Sequence, residues 1–210
     1  MTDNINILNL PAKTIYGKFI PKEKLYNHAD INASTKEKFV RQIERITWTN
    51  KISPETVNVK PGKYSEIEVF RIDLKDGNID DKLIQIIDQA IPYPILFVVC
   101  YNDYFYLTMP YKDGVNIGPY FMSGWTSTMD LTLIGLTIDQ IYANILHAID
   151  NSLKSDKLSL DEAVKQYVER QQVQKRIDQL TKQITKEPNS ARRQELAKER
   201  AVLVYNIGNE

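Results

Sequence analysis

The sequence predicts an α+β protein, in which a small mixed sheet with flanking helices is followed by a C-terminal antiparallel helical hairpin. β-prone runs alternate with apolar stripes at helical spacing up to residue 150, whereas the remainder carries helical patterns alone. A short polar run at 151–155 separates the two parts. These observations place a core domain at 1–150, a linker at 151–157 and the hairpin at 158–206.

The N-terminal part of the core domain predicts an arm, a helix and a strand. Residues 5–26 contain Pro11 and Pro21 and favour an extended arm with a short strand at 14–20. The string Ser-Thr-Lys-Glu at 34–37 has the form of a capping box, in which both end side chains accept hydrogen bonds from free backbone amides. It predicts a helix that starts at Ser34 and has one apolar face, formed by Phe39, Val40, Ile43 and Ile46. A β-prone run at 46–52 follows.

The middle of the core domain predicts more strands and two helices. Strands are predicted at 66–75, 95–101, 104–109 and 116–126. Asp80 predicts a helix start, because apolar residues recur at positions i, i+3, i+4, i+7 and i+8 from Leu83 to Ile91. Thr137 and Gln140 form a second capping box before an apolar helix.

The last 50 or so residues predict two antiparallel helices. A third capping box, formed by Ser159 and Glu162, opens a helix that is expected to run to about residue 186. Pro-Asn-Ser at 188–190 ends it, and a second helix is expected at 191–206. The apolar residues of the first helix are spaced by four, three and four positions, which suits a short coiled coil: Val173, Ile177, Leu180 and Ile184. The hairpin is therefore a candidate surface for homodimer formation.

Charge is balanced over the whole chain but not along it. The sequence contains 27 basic and 27 acidic residues. Residues 1–60 carry 10 basic and 6 acidic side chains, residues 61–150 carry 5 and 12, and residues 151–210 carry 12 and 9. Binding to DNA without sequence preference needs a concentrated positive surface, since counterion release supplies the affinity. Any DNA contact is thus expected at the basic flanks, 1–60 and 151–210.

Three features predict a cytoplasmic protein that does not enter a membrane. The longest apolar run, 95–100, is too short to cross a bilayer. The N-terminus lacks the basic and apolar segments of a signal peptide. A single cysteine cannot form an internal disulfide.

The sequence contains no strong catalytic motif. Cys100 lies inside an apolar strand, where burial makes a thiol inert. One Cys and the distant His28 and His147 do not supply a zinc ligand set. The glycines do not form a phosphate-binding loop. The aromatic residues between 93 and 125 favour core packing or a protein interface over base stacking, because this region is acidic. We therefore expect no catalytic site, cofactor or metal.

One pattern leaves an enzymatic alternative open. Pro54-Glu55 is followed after seventeen residues by Asp73-Leu74-Lys75, which matches the string of restriction-endonuclease-like nucleases. In that chemistry two carboxylates, here Glu55 and Asp73, hold Mg²⁺ against the scissile phosphate while Lys75 activates water. Asp73 and Lys75 share a face of the predicted strand. The opposing interpretation is a solvated strand end followed by a turn.

A set of short strings occurs in a specific order, at 10–14, 20–22, 46–48, 51–56, 66–70, 91–97 and 111–112. In this order they resemble the bacterial domain-of-unknown-function family 4391. The resemblance covers most of the chain and implies strand–helix units with a helical tail. It also implies DNA methyltransferases and helicases as companions in restriction-modification or phage-defence loci, but no activity and no site residue. The segment 120–125 departs from the expected basic or Thr-containing approach to its tryptophan.

Together these observations favour a non-catalytic accessory subunit of a defence or DNA-modification assembly, which binds a methyltransferase or helicase subunit through its surfaces. The metal-dependent nuclease using Glu55, Asp73 and Lys75 and a nucleic-acid-binding module are the alternatives.

Overall fold

The structure is a computed structural model that describes residues 7–28, 31–114, 116–155 and 157–208. The chain divides into two compact units, Met1–Ser152 and Leu153–Glu210. The first unit contains a mixed sheet with helices, and the second contains two helices that pack against each other as a hairpin. The predicted α+β class and C-terminal hairpin are therefore confirmed. None of the helices in the described ranges is long and apolar enough to span a membrane.

The sheet of the first unit has its six described strands in chain order. They are β1 (Ile15–Phe19), β2 (Ile43–Ile52), β3 (Ile67–Leu74), β4 (Ile95–Tyr101), β5 (Tyr104–Asp113) and β6 (Asn116–Met122). β3 and β4 are parallel, and the other neighbouring strands are antiparallel. The strand predicted at 95–101 coincides with β4, while the other predicted strands differ from the observed ones at their ends.

Helices connect the strands of the first unit and form the second. They are α1 (Lys22–His28), α2 (Ala33–Gln42), α3 (Pro54–Val57), α4 (Asp81–Gln89), α5 (Ile138–Ile149), α6 (Leu160–Lys186) and α7 (Ser190–Gly208). Because α4 returns the chain to the end of the sheet where β3 began, β4 lies parallel to β3. The fully extended arm predicted at 5–26 is wrong where α1 begins at Lys22. Residues 5 and 6 of that arm and residue 156 of the predicted linker lie outside the described residues.

The start and end of α2 differ from the prediction. Asn32, rather than Ser34, is the N-cap, and its side-chain oxygen accepts a hydrogen bond from the Thr35 amide at 2.9 Å. The predicted cap at Ser34 is wrong because the upstream Asn serves the same purpose one half-turn earlier. The predicted apolar helix face is also divided, since Ile43 and Ile46 belong to β2 and pair with β3.

The other predicted helix starts are confirmed. The Asp80 carboxylate accepts from the Lys82 amide at 3.0 Å, and Thr137 caps α5. Ser159 and Glu162 form a complete capping box at the start of α6. Each cap satisfies an amide that the first helical turn leaves without an intrahelical partner.

One hydrophobic cluster joins the sheet to the N-terminal helices. It combines apolar side chains from β2, β3 and β4 with side chains from α2 and α4, including Phe39, Ile46, Phe70, Ile72, Leu83, Ile87 and Phe97. α5 packs against β5 and β6 instead. In this region the Tyr142 hydroxyl donates to the Pro110 carbonyl at 2.9 Å and accepts from the Lys112 amide at 2.7 Å.

The hairpin unit is held by a narrow apolar seam. Ile177 and Leu180 of α6 are buried, as is Leu196 of α7. Arg176 on α6 lies 2.6 Å from Glu199 on α7, which joins the two helices through an exposed ion pair. The near-heptad spacing seen in the sequence therefore marks the buried side of α6.

Candidate functional sites

The structure does not bring the three residues of the nuclease pattern together. Glu55 lies in α3, which follows the end of β2 where Ile52 pairs with Ile67. Asp73 pairs with Arg45 near the other end of the same two strands. Six positions along a strand span about 20 Å, so Glu55 and Asp73 lie at opposite ends of the β2–β3 pair.

The local contacts of these residues are those of a turn and a strand end. The Ser53 hydroxyl donates to Glu55 at 2.6 Å, which lowers the pKa of this exposed carboxyl group. Arg71 donates to Asp73 at 2.7–2.8 Å from the same strand. Lys75 is exposed just beyond β3. Among the residues that the structure describes, no group of three or more His, Cys, Asp or Glu side chains is placed to hold a metal ion.

The thiol of Cys100 is buried in β4, as the sequence indicates. Only 4% of the residue is exposed, and burial raises the pKa of the thiol to about 12. A thiol of this kind stays protonated near neutral pH and is a poor nucleophile.

A buried ion pair joins α4 to β5. Lys112 Nζ lies 2.8 Å from Asp88 Oδ1, and both residues are almost fully buried. The Tyr120 hydroxyl donates to the other carboxylate oxygen of Asp88 at 2.9 Å. Lys112 Nζ also donates to the Tyr93 carbonyl at 2.9 Å. Burial raises the pKa of Asp88, and the contacts with Lys112 and Tyr120 oppose that shift.

These contacts make the Asp88–Lys112 pair a structural element. Asp88 lies near the C-terminus of α4, and Tyr93 lies in the turn that leads into β4. Lys112 and Tyr120 belong to β5 and β6. The pair thus fixes the α4–β4 connection to β5 and β6, which follow β4 in the sheet. Each charged group has partners from the chain, although Asp88 Oδ1 meets Lys112 as an ion pair and not in hydrogen-bond geometry.

A second buried polar group, the carboxyl group of Glu68 on β3, lines a pocket of about 390 Å³. Aromatic side chains from β1, β2, β3 and the turn before β4 form much of its lining. We call it the aromatic pocket and define it by Tyr16, Phe19, Trp48, Phe70, Tyr93 and Glu68. Its walls are mainly apolar and its polar groups are few, which is typical of small-molecule sites.

Strand register places these aromatic rings beside one another. Trp48 of β2 lies opposite Phe70 of β3, and their ring centroids are 5.9 Å apart. On the β1 side of Trp48, the ring centroid of Tyr16 lies 4.0 Å from that of Trp48. An irregularity in the β1–β2 register falls between Ile15 and Lys18. Gly17 has a φ of 65° there, which glycine adopts without the steric cost that a side chain brings.

Glu68 supplies the buried polar group of the aromatic pocket. It is 2% exposed, and its Oε2 atom has no hydrogen-bond partner among the described residues. Lys51, its cross-strand neighbour on β2, forms an ion pair with Glu66 at 2.5 Å. Burial, followed by the neighbouring Glu66 carboxylate, raises the pKa of Glu68 to about 8, while Lys51 and Trp48 oppose the shift. The side chain is therefore mostly protonated at neutral pH.

One feature of the sequence, an acidic residue in a buried series, indicates this pocket. In β3 the residues at 68, 70, 72 and 74 alternate onto the buried face, and Glu68 is the acidic member of that series. An acidic residue at a core position of a strand indicates either a buried partner or a binding site. The remaining pocket residues come from separate segments, so only the strand register shows that they meet.

The hairpin unit carries an exposed apolar surface. Val202 and Val204 of α7 are 59% and 51% exposed, and of the described α7 residues Leu196 alone is buried. Tyr205, which is 73% exposed, lies between these two valines around the helix. We call Val202, Val204 and Tyr205 the α7 apolar surface. Exposed apolar residues grouped at one end of a helix are typical of surfaces that bind another protein.

The fold and these sites define an α+β protein with a ligand-sized pocket on its sheet and a helical hairpin with an exposed apolar surface. The chain belongs to the family described as "Domain of unknown function (DUF4391)", whose family model matches residues 8–199. The resemblance stated from the sequence is confirmed at the level of the family. No curated protein and no solved structure matches the chain.

Proposed function

We propose that this chain is an accessory, protein-binding subunit of a bacterial phage-defence or restriction-modification assembly, in the cytoplasm. The observation that carries the proposal is the α7 apolar surface, because burying it in a partner would remove apolar area from water. The family resemblance supports the kind of assembly, since it implies methyltransferases and helicases as companions. The nuclease alternative has less support, because Glu55 and Asp73 lie at opposite ends of their strands.

Co-purification with a named partner tests this proposal. The full chain is expressed together with the methyltransferase or helicase encoded beside its gene, and the complex is isolated through a tag on that partner. We expect Val202→Glu to reduce recovery of the chain at least about tenfold, because a charge buried in an apolar interface is strongly unfavourable. Equal recovery of Val202→Glu and the unchanged chain would contradict the proposal.

Val40→Glu is the matched control for this experiment. Val40 is 55% exposed on α2 of the sheet unit, so the same charge is added to a valine of similar exposure in the other unit. Its recovery is expected to equal that of the unchanged chain. The measured mass of the isolated chain shows whether the α7 apolar surface is instead covered by a second copy, as the sequence allows.

The same co-purification distinguishes direct protein contact from contact through DNA. The basic flanks at 1–60 and 151–210 are the expected DNA-binding regions. Treatment with a nuclease removes a partner that is held only by shared DNA, whereas a protein interface survives it. Retention on DNA itself would fall steeply with salt concentration.

A further inference from the structure

The carboxyl group of Glu68 interacts with the side chains of Glu66 and Trp48, but its Oε2 atom has no hydrogen-bond partner among the described residues. This carboxyl group is buried, and the nearest lysine on the neighbouring strand is engaged by Glu66. Leaving a buried carboxyl oxygen unpaired is costly, and native proteins do so chiefly where a ligand or ordered group completes the site. A ligand for this pocket is therefore expected to donate hydrogen bonds.

The aromatic rings around Glu68 restrict the shape of that ligand. Glu68 and Phe70 are buried at the bottom, while Tyr16 and Tyr93 are each 37% exposed and Phe19 is 56% exposed. Flat heterocycles stack on such rings, because each presents a π-face. The pocket volume of about 390 Å³ lies within the range of about 300–1,000 Å³ that small-molecule sites occupy.

Two lysine side chains lie beside the aromatic side chains of the pocket. Lys18 and Lys24 line the same pocket. Lys18 Nζ lies 4.4 Å from the centre of the Tyr16 ring and donates to the Tyr16 hydroxyl at 2.8 Å. Two ammonium groups disfavour a cationic ligand and favour one that carries an anionic group, such as a phosphate. The ligand thus combines a flat donor-bearing ring with a negative charge.

We propose that the aromatic pocket binds a guanine nucleotide, with the base packed among its aromatic side chains and its N1–H and N2 amino groups donating to Glu68. Glu68 is mostly protonated in the free protein, and a guanine base selects its ionised form, because an ionised carboxylate is an acceptor with two oxygens that matches the two neighbouring donors of guanine. Lys18 and Lys24 contact the phosphate. Adenine and uracil do not present two adjacent donors, so the pocket discriminates against them. This proposal does not depend on the accessory role proposed above.

Titration of the full chain with GMP, followed by tryptophan fluorescence and calorimetry, tests the proposal. We expect binding of GMP that is at least about tenfold tighter than binding of AMP or UMP, because an unmatched polar edge is penalised in a buried site. IMP, which lacks the N2 amino group, is expected to lie between GMP and AMP. Absence of GMP binding at millimolar concentration, or equal binding of the nucleotides, would overturn the proposal.

Glu68→Gln is the decisive variant, because it keeps the size of the side chain but replaces one acceptor oxygen with a donor. It is expected to weaken GMP binding by at least about tenfold and to reduce the preference over AMP. Glu55→Gln, at an exposed carboxylate in the same unit, is the control and is expected to bind like the unchanged chain. Unaltered GMP affinity in a folded Glu68→Gln protein would overturn the assignment of Glu68.

The two tryptophans make the optical signal specific. Trp48 lines the pocket, whereas Trp125 packs on Tyr106 with ring centroids 4.8 Å apart. We expect quenching by GMP to survive Trp125→Phe and to disappear in Trp48→Phe. Quenching that disappears with Trp125 would place the ligand elsewhere and contradict the proposal.

The guanine base has two sources, a free nucleotide and a base splayed out of a single strand. A single-stranded thymine oligonucleotide with one guanine, compared with the all-thymine strand, distinguishes them. Tighter binding of the guanine-containing strand than of GMP assigns the site to nucleic acid, and the reverse assigns it to a free nucleotide. If neither ligand binds in a way that depends on Glu68, the proposal is wrong.

Discussion

Two buried carboxyl groups of the first unit, Asp88 on α4 and Glu68 on β3, have different surroundings. Asp88 has an ion pair with Lys112 and accepts from the Tyr120 hydroxyl. Glu68 is buried to a similar degree, but its Oε2 atom has no partner among the described residues. Within the described ranges, Asp88 Oδ1 and Glu68 Oε2 both lack a hydrogen bond. Lys112 lies against Asp88 Oδ1, however, whereas Lys51 beside Glu68 pairs with Glu66. A buried carboxylate beside a cation is compensated, whereas ionising one without a cation weakens the fold. The comparison assigns Asp88 to structure and Glu68 to binding.

The largest effect is expected at the paired group. Lys112→Met removes the charge that balances Asp88 and the hydrogen bond to the Tyr93 carbonyl. We expect the free energy of unfolding to fall by about 3–5 kcal/mol, because Asp88 remains buried without compensation. Chemical denaturation at neutral pH measures it. Lys63→Met, which breaks an exposed pair with Asp113, is the control and is expected to cost no more than about 1 kcal/mol.

Replacing Glu68 with Gln is expected to raise the free energy of unfolding, by an amount that depends on pH. The pKa of Glu68 is raised from 4.5 to about 8, so the folded state holds the proton more tightly than the unfolded state. The resulting stabilisation is complete below pH 4.5 and is lost as the pH rises to about 8.

Comparison of Glu68→Gln with the unchanged chain isolates the contribution of Glu68 to the pH dependence of stability. Burial also raises the pKa of Asp88, so both proteins share a decline in stability with pH from that group. We expect the stability of Glu68→Gln relative to the unchanged chain to increase by on the order of 3 kcal/mol between pH 5 and 8. Parallel stability curves across this interval would show that Glu68 is not the buried acid described here.

The smallest effect is expected in the hairpin unit. Arg176 and Glu199 are 45% and 46% exposed at their side chains, so solvent screens their attraction. Glu199→Gln is expected to change the free energy of unfolding by no more than about 1 kcal/mol. Leu180→Ala, at a fully buried position of α6, is the contrasting variant and is expected to cost about 2–5 kcal/mol. A larger loss for Glu199→Gln than for Leu180→Ala would contradict this account of the hairpin.

Local sequence patterns were sufficient for elements whose signals lie next to one another. β4 could be predicted with its exact ends because an apolar run is bounded by prolines and by the Asn102 turn. The α6 start could be predicted because Ser159 and Glu162 satisfy each other's backbone amides within one turn. The α2 start could not, because Asn32 and Ser34 are both good caps and the local string does not choose between them.

The candidate site could not be predicted because it depends on contacts between distant segments. Tyr16, Trp48 and Tyr93 are separated by dozens of residues and meet through the register of β1, β2 and the β4 approach. The nuclease pattern that the sequence suggested also depends on how distant segments meet. Glu55 and Asp73 have suitable spacing, but the antiparallel β2–β3 pair carries them to opposite ends.

Chemical denaturation of Asp88→Asn and Glu68→Gln side by side at pH 8 tests the division between the two carboxyl groups most directly. Both changes replace a buried acid with its amide, Asp88 on α4 and Glu68 on β3. We predict that Asp88→Asn lowers the free energy of unfolding and that Glu68→Gln raises it. If both variants lose stability to a similar degree, Glu68 is a structural residue like Asp88, and its assignment to a binding site is contradicted.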